Sequence, residues 1–566
     1  MDAEQARRAE WLRQDPDPDT RAELIELEER AGAGDVDALF ELESAFSAEL
    51  TFGTAGLRGR TGPGPNRMNE LVVRRTTAGL ATYLSAIGGT KVVIGFDGRR
   101  KSRAFALASA EVLAGYGLDA VVISRPIPTP VVAFAIRRLS CDAGIVVTAS
   151  HNPAADNGFK VYLGDGVQIV PPADSDISTN IRAVSSIDTN DIPAADTWTY
   201  ADDSIINDYV ATAARLATPG TTQKMRVVYT PLHGVGREVF ESVISVAGFA
   251  APVVVASQAE PNPDFPTVQF PNPEEPGCLD LAFDLAKEVD ADLVIAHDPD
   301  ADRCAVAVPT IEDSGTSWRR LTGDQVGALL TWWIIVGRSS LTTIPSSGDT
   351  PTPCVVAQSV VSGSLAESIA RRAGCTCVRT LTGFKWIGRV PGLTFGYEEA
   401  IGYCVDPVHV SDKDGITAAL LILEMASHLS RESRTLDDVL DDIERLHGVH
   451  LTDQLSVRLP PTVPLSGILD RLKVSLPSSF AGLPVRHAED LSIGTDDLPP
   501  TDCLIVTLED GCRVIVRPSG TEPKLKFYFQ VTAGASPSLT EARASARVRL
   551  GLLLSAAQAW LDSAGT

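Results

Sequence analysis

The sequence predicts an α/β protein: three related α/β domains with mixed, mostly parallel sheets, followed by a smaller C-terminal α+β domain. Two patterns carry that expectation. Short runs of β-branched residues alternate with helical segments over most of the chain, the signature of successive βαβ units. Past residue 448 the alternation gives way to several strand-like runs and one long helix. Length agrees, because 566 residues are too many for one hydrophobic core and divide naturally into about three or four domains.

In chain order, residues 1–48 are rich in Ala, Glu and Arg and read as helices packed outside the first core. Strand patterns follow at Val92–Asp97, Ala120–Ser124 and Gly144–Val147, with a helix at Ser102–Tyr116 between the first two. A polar stretch at about 173–203 leads into a helix at Ile205–Leu216. A second series opens at Met225–Gly234 and closes at Asp292–His297; a third runs from Pro353–Ala357 to a helix at Gly415–Arg431. Strand-like runs between Leu455 and Val531 and a helix at Leu539–Ser563 complete the chain. The expected boundaries are 1–210, 211–318, 319–447 and 448–566. Three successive α/β units suggest one large-scale repeat.

A net charge of −24 argues against nonspecific binding to nucleic acid or to an anionic membrane surface. It leaves anionic small molecules open, since a local cluster of Arg and Lys can hold a phosphate. Nine cysteines are scattered, and Cys375-Thr-Cys377 lacks the second pair that a zinc site needs. Reduced thiols are expected. The N-terminus is charged with no apolar targeting segment, and the apolar stretch near Val326–Val336 is about half a membrane span. It reads as a buried helix in a cytoplasmic protein, monomeric or homodimeric.

The chemistry-bearing stretches lie at the ends of predicted strands, where open α/β sheets gather ligands. Ile145–Val147 is a buried strand that stops at Thr148-Ala-Ser-His-Asn-Pro153, offering the hydroxyl of Ser150 with His151 beside it and Lys160 shortly after. Small polar residues also end many ordinary strands. Phe52-Gly-Thr-Ala-Gly-Leu-Arg-Gly59 is a glycine-rich loop whose amides and Arg58 suit an anion, or a flexible turn. Asp97-Gly-Arg-Arg100 reads equally well as a solvated charge cluster. Asp298, Asp300 and Asp302 fall on one tight loop after a strand, and hard oxygen ligands point to Mg²⁺. An EF-hand is excluded, because Arg303 and Pro309 occupy its Gly and Glu positions. A phosphatase with an aspartyl nucleophile would explain the D-x-D but leaves the Ser150 loop without a role. Arg517-Pro-Ser-Gly-Thr-Glu-Pro-Lys524 offers Arg517, two hydroxyls (Ser519, Thr521), the Gly520 amide and Lys524 as a cage for a phosphate dianion.

In that order and at those separations, with Gly396-Tyr-Glu-Glu-Ala-Ile-Gly402 between the last two, these motifs resemble the α-D-phosphohexomutase superfamily from Phe52 almost to the C-terminus. The resemblance implies four domains around a central cleft and a Mg²⁺-dependent phosphosugar mutase, with a sugar bisphosphate such as glucose 1,6-bisphosphate as activator. It implies that Ser150 carries the transferred phosphate and joins Asp298, Asp300 and Asp302 around the metal. His151, Lys160 and Arg58 then line the reacting site. Lys413, in Asp412-Lys-Asp-Gly415, is the implied general acid/base, and Arg303 the phosphate-proximal arginine. Thr382, Gly383 and Lys385 of Thr382-Gly-Phe-Lys-Trp-Ile-Gly388, with Glu398 and Glu399, are implied to read the sugar, and the Arg517 loop to grip the non-reacting phosphate. Ala400 departs from the common hexose-enzyme pattern, which carries a serine there. Glu-Glu-Ala-Ile-Gly is similar to the branch containing phosphopentomutases and broad phosphoglucomutases. The expected reaction moves phosphate between the 1- and 6-positions of glucose or mannose phosphate. A pentose mutase, a sugar bisphosphate synthase, a phosphatase and a phosphosugar-binding sensor are the alternatives.

Overall fold

The computed structural model describes residues 3–53, 56–218, 220, 225–312, 315–340, 354–458, 465–519, 524–536 and 538–563. The chain forms two units, Met1–Leu321 with Gly402–Ser427, and Thr322–Ile401 with His428–Thr566.

In the first unit, the β-branched runs become central strands buried on both faces, as parallel sheets covered by helices require. The first sheet contains β1 (Leu57–Arg60), β2 (Lys91–Phe96), β3 (Asp119–Val122), β4 (Ala143–Val147), β5 (Asp156–Leu163) and β6 (Thr199–Tyr200), ordered β1-β5-β4-β2-β3-β6. Strands β4, β2, β3 and β6 run parallel; β5 and β1 are antiparallel additions at one edge. All five residues of β4 are buried, so its carboxyl end is a rigid base for the loop that follows. The second sheet is ordered β11-β10-β9-β7-β8, from β7 (Val227–Thr230), β8 (Val253–Val254), β9 (Leu293–His297), β10 (Cys304–Glu312) and β11 (Gly315–Arg320). Here β7, β8 and β9 are parallel, and β10 and β11 antiparallel. Helices Ala3–Gln14, Pro18–Gly32 and Val36–Phe46 form a satellite cluster through Trp11, Leu24, Leu42 and Phe46.

In the second unit, strand Val355–Ser359 pairs in parallel with Thr376–Thr380 and Leu393–Glu398. The apolar stretch near Val326 lies on helix Gly323–Ile335, opened by a capping box of Thr322 and Gln325. The tail is an antiparallel six-stranded sheet. Helix Leu539–Ser563 contributes Leu553, Ala557, Trp560 and Leu561 to its core. The fold class is therefore α/β, with a smaller α+β portion at the C-terminus. Among the described residues, no helix is long and apolar enough to cross a membrane.

Two expectations are corrected. The polar stretch at 173–203 contains a helix, Ala173–Ser185, with Ala173, Ile177 and Val184 buried. Its apolar residues are few but recur at helical spacing, and Ile181 fits over Gly79 of helix Glu70–Ala86. The thiols are also not all reduced: Cys354 and Cys375 are joined, with seven others free.

The Gly79 contact sets a stability test remote from any proposed chemistry. A Cβ there would lie 2.5 Å from Ile181 Cγ1 and 2.6 Å from the Ile181 backbone nitrogen. Gly79→Ala is expected to destabilise the first unit by about 1–3 kcal/mol, read as a lower urea midpoint with unchanged activity per folded molecule.

Candidate active site

Ser150 follows β4 at φ 51°, in the left-handed region, and is almost fully buried. Its Oγ donates to Asp298 Oδ2 at 2.9 Å and lies 3.1 Å from His151 Nδ1. A serine has one hydroxyl proton, so while it is directed at Asp298 the Oγ can only accept from His151, which requires the ring proton on Nδ1. Burial, followed by the charges of Arg303 and Arg58, pushes the His151 pKa well below its ordinary value. The neutral ring is thereby favoured, and its tautomer decides whether Nδ1 donates to Ser150 or accepts from it.

Asp298, Asp300 and Asp302 occupy the turn after β9. Their ligand atoms lie within 4.8 Å of one another, and all three residues are buried. Ala301, at φ 52°, provides the turn's left-handed residue. Such a cluster repels itself, and the first unit supplies compensating cations. Lys160 on β5 reaches Asp300 Oδ2 at 2.8 Å and Asp302 Oδ2 at 3.1 Å. Lys413 lies 3.3 Å from Asp302 Oδ2. Burial alone would raise the Asp302 pKa, but Lys160, Lys413 and Arg303 hold it well below the usual carboxylate range. Asp298 goes the other way, raised by burial and then by its two acidic neighbours. Burial would lower the Lys160 pKa, yet Asp300 and Asp302 raise it.

The donor set fits a hard divalent cation. Among the described residues, Asp300 Oδ1 and Asp302 Oδ1 are buried acceptors with no hydrogen-bond donor, an arrangement that costs free energy unless something positive is bound. Carboxylate oxygens are the ligands that Mg²⁺ prefers.

Further residues fix this constellation. Thr129 donates its Oγ1 to Asp300 Oδ2 at 2.7 Å and its backbone N–H to Asp300 O at 2.9 Å. Arg303 donates its backbone N–H to Asp298 Oδ1 at 3.1 Å. Gly415 packs so closely on Arg303 that a Cβ would lie 2.4 Å from the Arg303 carbonyl oxygen. Lys413 is set by the two aspartates beside it. Asp412 accepts from Gln168 Nε2 at 3.1 Å; Asp414 accepts from Tyr209 at 2.9 Å and caps the helix that follows through Ile416 and Thr417. Arg58 on β1 donates to Asn152 Oδ1 at 3.0 Å, reaching the Ser150 loop. The first unit therefore brings together Ser150, His151, Lys160, Lys413, Arg58, Arg303 and the three aspartates. Thr129, Gln168 and Tyr209 escaped the sequence reading, being single polar residues with no motif around them.

In the second unit, Glu398 Oε1 accepts the Gly383 N–H at 2.6 Å, so the Thr382–Gly388 loop and the acidic pair are neighbours. Glu399 Oε2 accepts from Ser359 and Ser362 hydroxyls at 3.1 and 3.0 Å. Burial, then Glu398 and Asp324, push its pKa up to about 7. Lys385 Nζ lies 6.0 Å from the centre of the Trp386 ring. Arg517 and Lys524 sit at the open end of two paired strands, where Ser519 N donates to Lys524 O at 2.8 Å. Gly520 and Thr521 lie outside the described residues.

Comparison with known proteins agrees with this geometry. Residues 49–188, 207–312 and 322–446 match domains I, II and III of phosphoglucomutase/phosphomannomutase, and residues 474–537 match its C-terminal domain. A Haemophilus influenzae protein named "Probable phosphomannomutase" is 43% identical over 82% of this chain and 92% of its own length. Human phosphopentomutase is 34% identical over 93% of this chain and 91% of its own. Human glucose 1,6-bisphosphate synthase is 32% identical, covering 94% and 90%. In fold, the chain is similar to a Burkholderia thailandensis phosphoglucomutase/phosphomannomutase family protein, with a TM-score of 0.67 at 20% identity over 91% of this chain and 97% of the other. The chain belongs to the phosphoglucomutase/phosphomannomutase family and is an enzyme of its intramolecular phosphotransferase type.

Proposed function

We propose that the protein moves a phosphate between the 1- and 6-positions of a hexose phosphate, glucose or mannose, through a phosphorylated Ser150 and a sugar bisphosphate. The observation that carries this reading is the Ser150 hydroxyl hydrogen-bonded to Asp298, one of a buried triad of carboxylates. A serine hydroxyl is a weak nucleophile until its charge and proton are managed. Asp298, Asp300, Asp302 and Ser150 would hold Mg²⁺, which polarises a phosphoryl oxygen as a Lewis acid. The protein's own groups do the rest. Lys160 and Lys413 offset the carboxylates, and Lys413 is the candidate to move a proton at the sugar oxygen. Arg58 and Arg303 are the candidate donors to the phosphoryl oxygens. His151 supports the Ser150 oxygen from the other side. In the second unit, Thr382, Gly383, Lys385, Glu398 and Glu399 are assigned to the sugar, and Arg517, Ser519, Gly520, Thr521 and Lys524 to the phosphate not in reaction.

A pentose substrate is the second reading. Ala400 favours it, as do relatives named phosphopentomutase in mouse and human at 34% identity. The hexose reading is favoured by the relative of highest identity among those given above, at 43%.

Four outcomes are expected. Ser150→Ala should lower kcat by roughly 10⁴-fold or more, while the Kd for sugar phosphate by calorimetry stays within a few-fold; substantial residual turnover would sink the phosphoserine route. Chelation by EDTA should abolish turnover and Mg²⁺ restore it. In Asp300→Asn, which removes one carboxylate charge from the set, half-maximal activity should need at least about tenfold more Mg²⁺. With Mg²⁺ and glucose 1,6-bisphosphate supplied, kcat/KM for glucose 1-phosphate or mannose 1-phosphate should exceed that for ribose 1-phosphate. A strong ribose preference would hand the assignment to the pentose reading.

A further inference from the structure

The Asp97-Gly-Arg-Arg100 stretch at the end of β2 has no part in the chemistry described so far. Its first and third residues are nonetheless buried, 2% and 4% exposed, whereas the Arg100 side chain projects to the surface and pairs with Asp264. Solvation therefore explains only Arg100.

Arg99 points into the Ser150 loop. Its Nη1 donates to Pro153 O at 2.7 Å and to Asp156 O at 3.1 Å. Its Nη2 donates to Ser150 O at 2.6 Å and to Asn152 O at 2.5 Å. Four carbonyls of one loop thus converge on one guanidinium. Asp97 holds that guanidinium at 3.3 Å from Nε and accepts from Arg99 N at 3.0 Å and Ser102 Oγ at 2.7 Å. The same carboxylate also accepts from Thr148 Oγ1 at 2.6 Å, and Thr148 Oγ1 in turn accepts the Ser150 N–H at 2.8 Å. Ser150 is consequently tied twice to one ion pair, by its carbonyl to Arg99 and by its amide through Thr148 to Asp97. Phe265 packs on the guanidinium, 4.9 Å from its ring centre.

We infer that Arg99, held by Asp97, is a positioning residue for phosphoryl transfer, fixing Ser150 in the left-handed conformation that presents its Oγ to the metal loop. The inference rests on reading Ser150 as the phosphate carrier. A left-handed non-glycine residue persists only where its surroundings over-determine it, and the double tie does so. Only a planar fork of donors meets four carbonyls at once; a lysine, with one point charge and three donors, cannot span them. None of these Arg99 contacts is to a residue assigned to the sugar or to the phosphate not in reaction. Its loss should therefore slow transfer and leave sugar-phosphate affinity alone, a split that a general loss of structure would not give.

The test uses the full-length enzyme with Mg²⁺. Arg99→Lys and Asp97→Asn are compared with wild type and Ser150→Ala. The readouts are thermal melting, the Kd for glucose 6-phosphate, and the rate at which glucose 1,6-bisphosphate phosphorylates Ser150, followed by rapid quench and intact-protein mass. Arg99→Lys is expected to melt cooperatively and to keep its Kd within about threefold. Its phosphorylation rate should fall about 10²-fold, the scale of a 1 Å misplacement, with a smaller fall for Asp97→Asn. A folded Arg99→Lys phosphorylated within threefold of the wild-type rate would overturn the inference. So would failure of both variants to yield native protein, since the pair would then support the whole domain. Ser150→Ala separates the two levels. If it keeps turnover, the phosphoserine reading itself fails; if it is dead while Arg99→Lys matches wild type, only the Arg99 inference fails.

Discussion

Three carboxylates buried within 4.8 Å of one another are the constraint on which the first unit depends. Left alone, they would take up protons or push the turn open, because like charges in a poorly solvated site cannot all ionise. The fold answers with two lysines from different places in the chain, Lys160 on β5 and Lys413 before helix Gly415–Arg431. Arg303 adds a third cation, its Nε 3.9 Å from Asp302 Oδ1. If a divalent cation binds there and Ser150 carries a phosphate dianion, as proposed above, the two added charges cancel, and the cluster takes up both with little net change in charge.

The rest of the first unit reads as the means of holding that cluster still. Gly234 lies so close to Pro299 that a Cβ would sit 2.3 Å from the proline Cα, and Val235 donates its N–H to Pro299 O at 2.8 Å. The turn after β7 is thus the floor under the metal loop. His297 spans from Tyr229 to the Gly415 carbonyl, 3.0 Å at each end, tying β9 to the segment that carries Lys413. Burial lowers its pKa to about 4, so it stays a neutral spacer and adds no charge to the balance.

The elements legible in the sequence were those whose signal is local. Ser150 follows a five-residue buried run, the three aspartates share one turn, and helix Leu539–Ser563 is marked along its whole length. The elements that were not legible depend on partners far along the chain. Asp97 and Arg99 look like surface charges until the Ser150 loop, some 50 residues later, supplies four carbonyls and a threonine. Thr129 gains its meaning 171 residues away at Asp300. Helix Ala173–Ser185 was obscured by its polar composition, because only a thin apolar stripe meets helix Glu70–Ala86.

The same distinction between local and distant partners bears on the acidic pair of the second unit. By sequence, Glu398 and Glu399 are equivalent neighbours, and Ala400 merely removes a hydroxyl beside them. In the fold they differ. Glu399 already accepts two serine hydroxyls, from Ser359 at the end of strand Val355–Ser359 and from Ser362 in the turn after it, and its pKa is raised to about 7. Glu398 accepts a backbone N–H from Gly383, beside the Thr382–Gly388 loop. If the pair reads the sugar, as proposed above, a carboxylate already engaged by two hydroxyls has less accepting capacity left for vicinal sugar hydroxyls than Glu398 has. Stereochemical discrimination, which depends on polar groups left unpaired by the wrong sugar, then falls more heavily on Glu398. The pair is then not without neighbouring hydroxyls despite the one missing at Ala400, because Ser359 and Ser362 bring two of their own.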